Sequence, residues 1–272
     1  MEFPVERIGV ADVKRVDSSD ATPVRCVNIF GVDVDAVDMA GAVELARDAV
    51  LSGRPHQHVV LNAAKIVAMH DDKELARIIK GCDFILADGA PIVWFAHLAG
   101  RRLPERVAGA DLFEELVATA AADGHAVYFL GAQQHVVDRV VKVFRDRHPT
   151  LKVAGWHDGF WTSDDEVIEL IRQAQPHYLF LAIPSPRKEY WLNANLDRLL
   201  VPFSMGVGGS FDVVAGEITR APRWMQRIGM EWSWRLIKEP RRMFKRYLVG
   251  NTRFIILAGR ELRSARRGSA VG

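Results

Sequence analysis

A chain of 272 residues, 49% hydrophobic and 26% charged, can bury a large core, which excludes a disordered polymer and fits one α/β domain with an appendage. Its two cysteines, Cys26 and Cys82, form no CxxC or metal-ligand pattern and argue against a secreted disulfide scaffold, so a reducing, cytoplasmic setting is expected. The net charge of +2 hides an asymmetry: residues 217–272 hold 14 Lys/Arg against four acids, whereas residues 1–216 hold 22 basic and 30 acidic side chains, which points to an anionic partner that meets the end alone.

In chain order, residues 1–23 mix charges with isolated apolar side chains and lack the unbroken apolar stretch of a signal peptide; a loosely ordered leader is expected. No later run reaches the roughly 18 consecutive apolar residues of a transmembrane helix. From residue 24 to 216, short β-branched or aromatic runs alternate with longer amphipathic stretches, the pattern of repeated βα units. Strands are expected at VNIFGV (27–32), HVVLNA (58–63), FILAD (84–88), AVYFLGA (126–132), LKVAGW (151–156), YLFLAI (178–183) and PFSMGVG (202–208), with helices between them. Capping boxes are expected at Asp111 with Glu114 and at Ser163 with Glu166. The body therefore reads as one α/β domain, a Rossmann-like, largely parallel sheet flanked by helices. Residues 217–272 read as a helical basic appendage in which tryptophans alternate with arginines. Pro240 is expected to start a new helix there, with Met243, Phe244, Tyr247 and Leu248 on one face and Arg241, Arg242, Lys245 and Arg246 around it.

In open parallel sheets ligands bind at the carboxyl ends of strands. The residues just past each run are Asn62, Asp88-Gly89, Gly131, the segment from Pro184 to Lys188, and Gly206-Val-Gly-Gly-Ser-Phe-Asp212. A carboxylate, an amide and a glycine cluster on one rim suit a phosphorylated polar ligand, since glycine-rich backbone brings N–H groups close to phosphate oxygens. The same glycines equally serve a tight turn. On spacing alone Asp88 is either a general base or the cap of a helix beginning near Ala90, and Asn62 is either a ligand contact or a satisfied turn residue. Neither a dinucleotide fingerprint after the first strand nor a P-loop is present. The nine histidines show no paired ligand spacing, so no metal site is expected, and His97 and His157 read as surface or packing residues. Trp224, Trp232 and Trp234 beside arginines fit a membrane interface better than nucleic acid.

The blocks VVLNAAKIVAM, ILADG with its aspartate 26 residues after the asparagine, RVAGADL, GAQQ, WHDGFW, PSPRKEYW, MGVGGSFDVVAGEITRAP and GMEWSWRLIKEPRRMFKRYLVGN resemble, in that order, the WecG/TagA/CpsF family of bacterial glycosyltransferases. The resemblance covers about 27–254. It implies an inverting, metal-independent transferase that moves N-acetylmannosamine, its uronic acid or a related hexose from a UDP-sugar to an undecaprenyl-diphosphate-linked saccharide, in teichoic-acid-type or other cell-surface polysaccharide synthesis. Carried over by position, Asp88 matches the family's proposed base and Asn62 its pocket asparagine. Gly206, Gly208, Gly209, Phe211 and Asp212 match a donor-pocket loop, and Arg235 and Arg242 match appendage arginines thought to close over the site. Gly89, Gly131, Pro186, Lys188 and Glu189 fall in the matching substrate-binding blocks. The sequence departs from the pattern at Val60, where teichoic-acid members have threonine, at Lys188, which replaces a glutamine, and at GAQQHVV, which lacks a helix-start glycine.

The implied partners are a UDP-sugar donor, a lipid-linked acceptor and the anionic inner face of the cell membrane, with no nucleic acid and no cofactor; a homo-oligomer is compatible. Two other readings stand beside this one. A non-catalytic nucleotide or polyanion-binding protein would need only the basic end, but has no use for a carboxylate facing an anionic ligand. A transferase with a soluble acceptor would use the aromatic-basic end as an oligomer interface.

Overall fold

The computed structural model describes residues 25–222, 224–225, 231–238 and 250–263. It begins with a hairpin, Cys26–Ile29 (β1) against Val32–Asp35 (β2), with Ile29 opposite Val32. Phe30 and Gly31 between them both have positive φ, 53° and 71°, the two-residue turn whose twist suits antiparallel strands. The expectation of a single strand over 27–32 within the main sheet is therefore corrected. The chain reverses at Gly31, which takes the left-handed conformation without steric cost, and the hairpin forms a separate two-stranded sheet.

The main sheet has six strands: His56–Leu61 (β3), Phe84–Ala87 (β4), Ala126–Gly131 (β5), Lys152–His157 (β6), Tyr178–Ala182 (β7) and Phe203–Gly206 (β8). Their order is β4-β3-β8-β7-β5-β6 and every pairing is parallel. The helices are Met39–Ser52 (α1), Ala63–Asp71 (α2), Lys73–Lys80 (α3), Ala90–Leu98 (α4), Gly109–Asp123 (α5), Gln134–Arg147 (α6), Asp164–Ala174 (α7), Arg187–Leu199 (α8), Ser210–Val214 (α9) and Glu231–Lys238 (α10). A last helix, α11, is described over 250–263.

Alternation along the strands builds three layers. Val127 and Phe129 of β5, with Tyr178 and Phe180 of β7, enter the core that contains α1, α5, α6 and α9. Tyr128, Leu130, Leu179 and Leu181 point the other way, toward α7 and α8. Beyond β3 and β4, the hairpin, α2, α3, α4 and α11 close a third cluster. Burial on both faces explains why β4 and β7 read as continuous hydrophobic runs. Phe113 of α5 is fully buried and meets Phe129, Phe144, Phe180 and Phe211 with ring centroids 4.8–6.3 Å apart.

Helix starts follow the expectation in one place and not in another. Ser163 caps α7 and accepts from the Glu166 N–H at 3.4 Å. Asp111 does not cap α5, which starts two residues earlier behind Ala108. Its carboxylate instead pairs with Arg220, and Glu114 pairs with Arg147 at 3.0 Å. A tertiary ion pair takes the aspartate that a local rule assigned to a cap. Residues 217–272 are also not wholly separate from the body, because Ala221, Met225 and Phe254 are buried.

Candidate active site

Because every strand of the sheet is parallel, all six end on one rim, where the following helices begin. Across that rim the chain places Asp88 after β4, Asn62 after β3, Gly206 at the end of β8, Pro184 to Pro186 after β7, and Gly131 at the end of β5. Adjacent strands lie about 4.8 Å apart, so the rim from Asp88 to Gly206 spans about 10 Å. The chain leaves β5 through α6 toward the edge strand β6, and leaves β7 through α8 toward β8. Connections that diverge in this way open a crevice at the carboxyl ends.

Asp88 is half-buried, and its N–H donates to the Leu61 carbonyl at 2.9 Å, which carries the β3–β4 ladder one step past the strand. The N-cap position of α4 falls to Gly89, at φ 95°, one residue past Asp88, and the first turn of that helix holds no acid. Asn62 caps a helix: its Oδ1 accepts from the Lys65 N–H at 3.0 Å at the start of α2. Both α2 and α4 thus begin on the same rim, where the partial positive charge of a helix N-terminus favours an anion.

The other residues singled out by sequence divide into rim and interior. Gly131 is a glycine because β7 passes close by: a Cβ there would lie 2.6 Å from the Ala182 carbonyl oxygen. Gly206 is crossed by the stem of Lys188, with a Cβ position 2.8 Å from its Cδ. Gly208, half-buried, and Gly209, exposed, form the turn before α9. Asp212, in the first turn of α9, is half-buried, and burial followed by the charge of Glu217 pushes its carboxyl up from the usual range. Phe211 lies elsewhere: its ring is fully buried against Phe113 and Phe129, so it belongs to the core beneath the loop and not to the rim. Pro186 is exposed at the start of α8. Arg235 falls within α10 but its side chain lies outside the described residues, as does Arg242 altogether.

Lys188 and Glu189 are both buried, and they share a site with a residue that sequence reasoning passed over. Lys65 of α2 reaches across to α8, its Nζ 2.8 Å from Glu189 Oε1 and donating to the Val60 carbonyl at 2.9 Å. Lys188 Nζ donates to the Gly206 carbonyl at 3.0 Å and stands 3.9 Å from the same carboxylate oxygen. Two ammonium groups and one carboxylate therefore sit beneath the rim with a surplus positive charge. Burial and the neighbouring Lys65 push the Lys188 amine down to about 8, against the upward pull of Glu189 and Asp88. Glu189 is held below the usual carboxylate range because the two lysines outweigh its burial. His58 of β3 is fully enclosed near this group; burial first, then the charges of Lys65 and Lys188, push its imidazole down to about 3, so it is neutral. The signal for Lys65 was available in part: a lysine among Ile66, Val67 and Met69, all on buried positions of one short helix.

Among the described residues no group of three or more His, Cys, Asp or Glu side chains is placed to hold a metal ion, and no helix is long and apolar enough to cross a membrane. A cleft of about 390 Å³ lined by Arg172, His177, Leu199 and Pro202 opens at the opposite, amino-terminal end of β7 and β8, away from the residues above.

The model of the glycosyl transferase WecG/TagA/CpsF family matches residues 27–268. Three similar proteins are each named N-acetylglucosaminyldiphosphoundecaprenol N-acetyl-beta-D-mannosaminyltransferase. That of Bacillus subtilis (strain 168) is 35% identical over 177 residues, 65% of this chain and 69% of the relative. That of Bacillus spizizenii is 33% identical over 165 residues, 61% and 64% of the two chains. That of Staphylococcus aureus (strain MW2) is 27% identical over 219 residues, 80% and 86%.

Proposed function

The chain belongs to the WecG/TagA/CpsF family of glycosyl transferases, and from that premise we propose that it transfers a hexose of the N-acetylmannosamine type from a UDP-sugar to an undecaprenyl-diphosphate-linked saccharide, with inversion and without a metal. The acceptor class is taken from the names of the three relatives, which act on a diphosphoundecaprenol-linked sugar. The observation that carries the reading is Asp88: a half-buried carboxylate just past the end of β4, on the rim shared with Asn62 and the turn that follows β8.

In this reading Asp88 accepts the proton of an acceptor hydroxyl as that oxygen attacks the anomeric carbon from the face opposite the UDP. The bond from the anomeric carbon to the diphosphate oxygen breaks, and the diphosphate leaves with the electron pair. N–H groups of the Gly206–Gly209 turn, with Arg235 and Arg242 from the appendage, oppose that charge; an arginine fork pairs two phosphate oxygens at once. The surplus charge of Lys65, Glu189 and Lys188 supports the same end of the site from below. The appendage also holds the enzyme peripherally at the cytoplasmic face of the membrane, where such an acceptor is anchored.

A screen of UDP-sugars for UDP release, with a short-chain lipid diphosphate acceptor and with EDTA present, tests the reading. UDP release that requires both one hexosamine-type donor and the acceptor supports it. Transfer only after manganese or magnesium is restored defeats the metal-free site, and transfer to soluble sugars alone defeats the lipid-linked acceptor.

A further inference from the structure

Helix α4 begins two residues after Asp88 and contains one polar side chain, His97, in nine residues. Its inner side is spent on the core: Ile92, Phe95 and Ala96 are buried, and the Phe95 ring stacks on Phe30 at 4.4 Å. Its outer side is nonetheless apolar, with Trp94 56% and Leu98 73% exposed. A surface helix normally turns a polar face outward; one that is apolar on both sides meets a second apolar medium. Helix α11 repeats the pattern. Phe254, Leu257, Ala258 and Leu262 pack into the same cluster as α4, while Ile255 and Ile256 are 68% and 49% exposed. The two helices are neighbours: Phe30 lies against both Phe95 and Phe254, and Arg101, just past α4, meets Glu261 of α11 at 3.8 Å.

The charge around this apolar surface is mainly positive, although Arg253 of α11 is paired with Asp71. Residues 90–107 and 250–263 together contain six arginines and two glutamates. Glu261 faces Arg101, and Glu105 accepts from the Met39 N–H at 2.7 Å. Arg102, Arg260 and Arg263 are exposed. A second copy of this chain would bring arginines against arginines in a symmetric contact, whereas an anionic bilayer complements both the charge and the apolar side chains.

We propose that the outer faces of α4 and α11 form the surface on which the protein rests on an anionic bilayer, with Trp94, Leu98, Ile255 and Ile256 entering the headgroup boundary and Arg102, Arg260 and Arg263 among the lipid phosphates. This deepens the peripheral attachment proposed above and rests on it, but assigns the contact to a helix of the catalytic body as well as to the appendage. Tryptophan suits the position because its ring is apolar and its N–H remains in the wet layer. Since α4 starts at the rim, the surface would set the height at which a lipid-anchored acceptor meets Asp88.

The native cysteines are both buried, so a thiol-reactive fluorophore reports selectively on an introduced cysteine. Full-length protein carrying Leu98→Cys, Ile256→Cys or, as control, the exposed Leu51→Cys is labelled and mixed with vesicles of phosphatidylcholine and phosphatidylglycerol containing a nitroxide-labelled lipid. Quenching at positions 98 and 256 but not at 51 is expected. In parallel, Trp94→Gln with Leu98→Gln should weaken co-sedimentation with the same vesicles about tenfold or more, the loss of two partly buried side chains, while Leu51→Gln leaves it unchanged. Protein that sediments with vesicles while the probe at 98 stays unquenched overturns this surface and leaves the attachment through the appendage standing. Protein that ignores the vesicles overturns both. A probe at 98 whose emission shifts with protein concentration in the absence of lipid assigns the face to a second copy, and also overturns the proposal.

Discussion

Beneath the rim, Lys65 and Lys188 share the carboxylate of Glu189 with almost no access to water, whereas on the flanks Arg253 meets Asp71 and Arg77 meets Glu74 in the open. Each set joins cations to a carboxylate, with a shortest contact of 2.8 Å inside and 2.5 and 2.6 Å on the flanks. What differs is the medium. In the interior each charge has lost its hydration and depends on its partners, so removing one strands the others. On the surface water replaces a lost partner and salt screens the rest. The molecule places its dependent charges where it also places Asp88 and the glycine turn.

The largest effect is expected at the rim itself. Asp88→Asn should lower transfer by about two to four orders of magnitude, the usual loss for a general base, with the urea midpoint unchanged. UDP release by the purified variant measures it. Turnover near that of the wild type would leave Asp88 with no catalytic part and reduce the rim to packing.

Next comes Glu189→Gln, which leaves two buried ammonium groups without their carboxylate and should cost about 3–5 kcal/mol by urea unfolding. A cost within about 1 kcal/mol would mean that the interior group behaves like an exposed pair, and the distinction drawn above would fall.

The pH dependence is smaller and has a definite sign. The folded amine of Lys188 is pushed down to about 8 from an ordinary 10.5. Below about 8 it is protonated in both states and the folded protein bears the full burial penalty. Between about 8 and 10.5 the folded state has released the proton and the unfolded state has not, so the unfolded state binds more protons and stability rises with pH. The rise should be on the order of 2 kcal/mol, and Lys188→Met should remove it. A wild-type profile that falls monotonically across this window, or a Met variant with the same slope, contradicts the assignment.

The smallest effect is on the flank. Arg253→Ala should leave the urea midpoint where it was, at low and at high salt alike, because both side chains of that pair are open to water. A marked loss would show that the exposed pairs hold the last helix in place and that burial is not what separates the two classes.

Much of the scaffold was legible. Six of the seven expected strands appear within two residues of their places; in β4, β5 and β7 the reason is that a strand apolar on both faces leaves a run of apolar residues that is read directly. The seventh failed at Phe30–Gly31: one apolar run across a two-residue turn resembles one strand, and only the left-handed φ values at the turn separate them. Asp111 failed for a related reason. Its spacing to Glu114 is that of a capping box, but Arg220, 109 residues further on, draws the carboxylate into a long-range pair. Phe211 stood in a glycine-rich segment at the rim, yet its ring fills the core, since a short helix turns successive side chains in different directions.

What the sequence determined by itself is whatever depends on neighbours along the chain: the alternation of strands and helices, the parallel layout it implies, the order of blocks shared with the family, and hence the strand ends on which to look for chemistry. Tertiary structure alone decided what depends on residues far apart in sequence. It drew the Asp111 carboxylate to Arg220 and packed the Phe211 ring against Phe113 beneath the glycine turn. It also brought Lys65 of α2 to Glu189 of α8, 124 positions apart, over the end of β8. Local propensity is a property of φ, ψ and side-chain period and is written into a few adjacent residues; the energy of a buried charge depends on which distant groups share its cavity, and that is settled only when the sheet has closed.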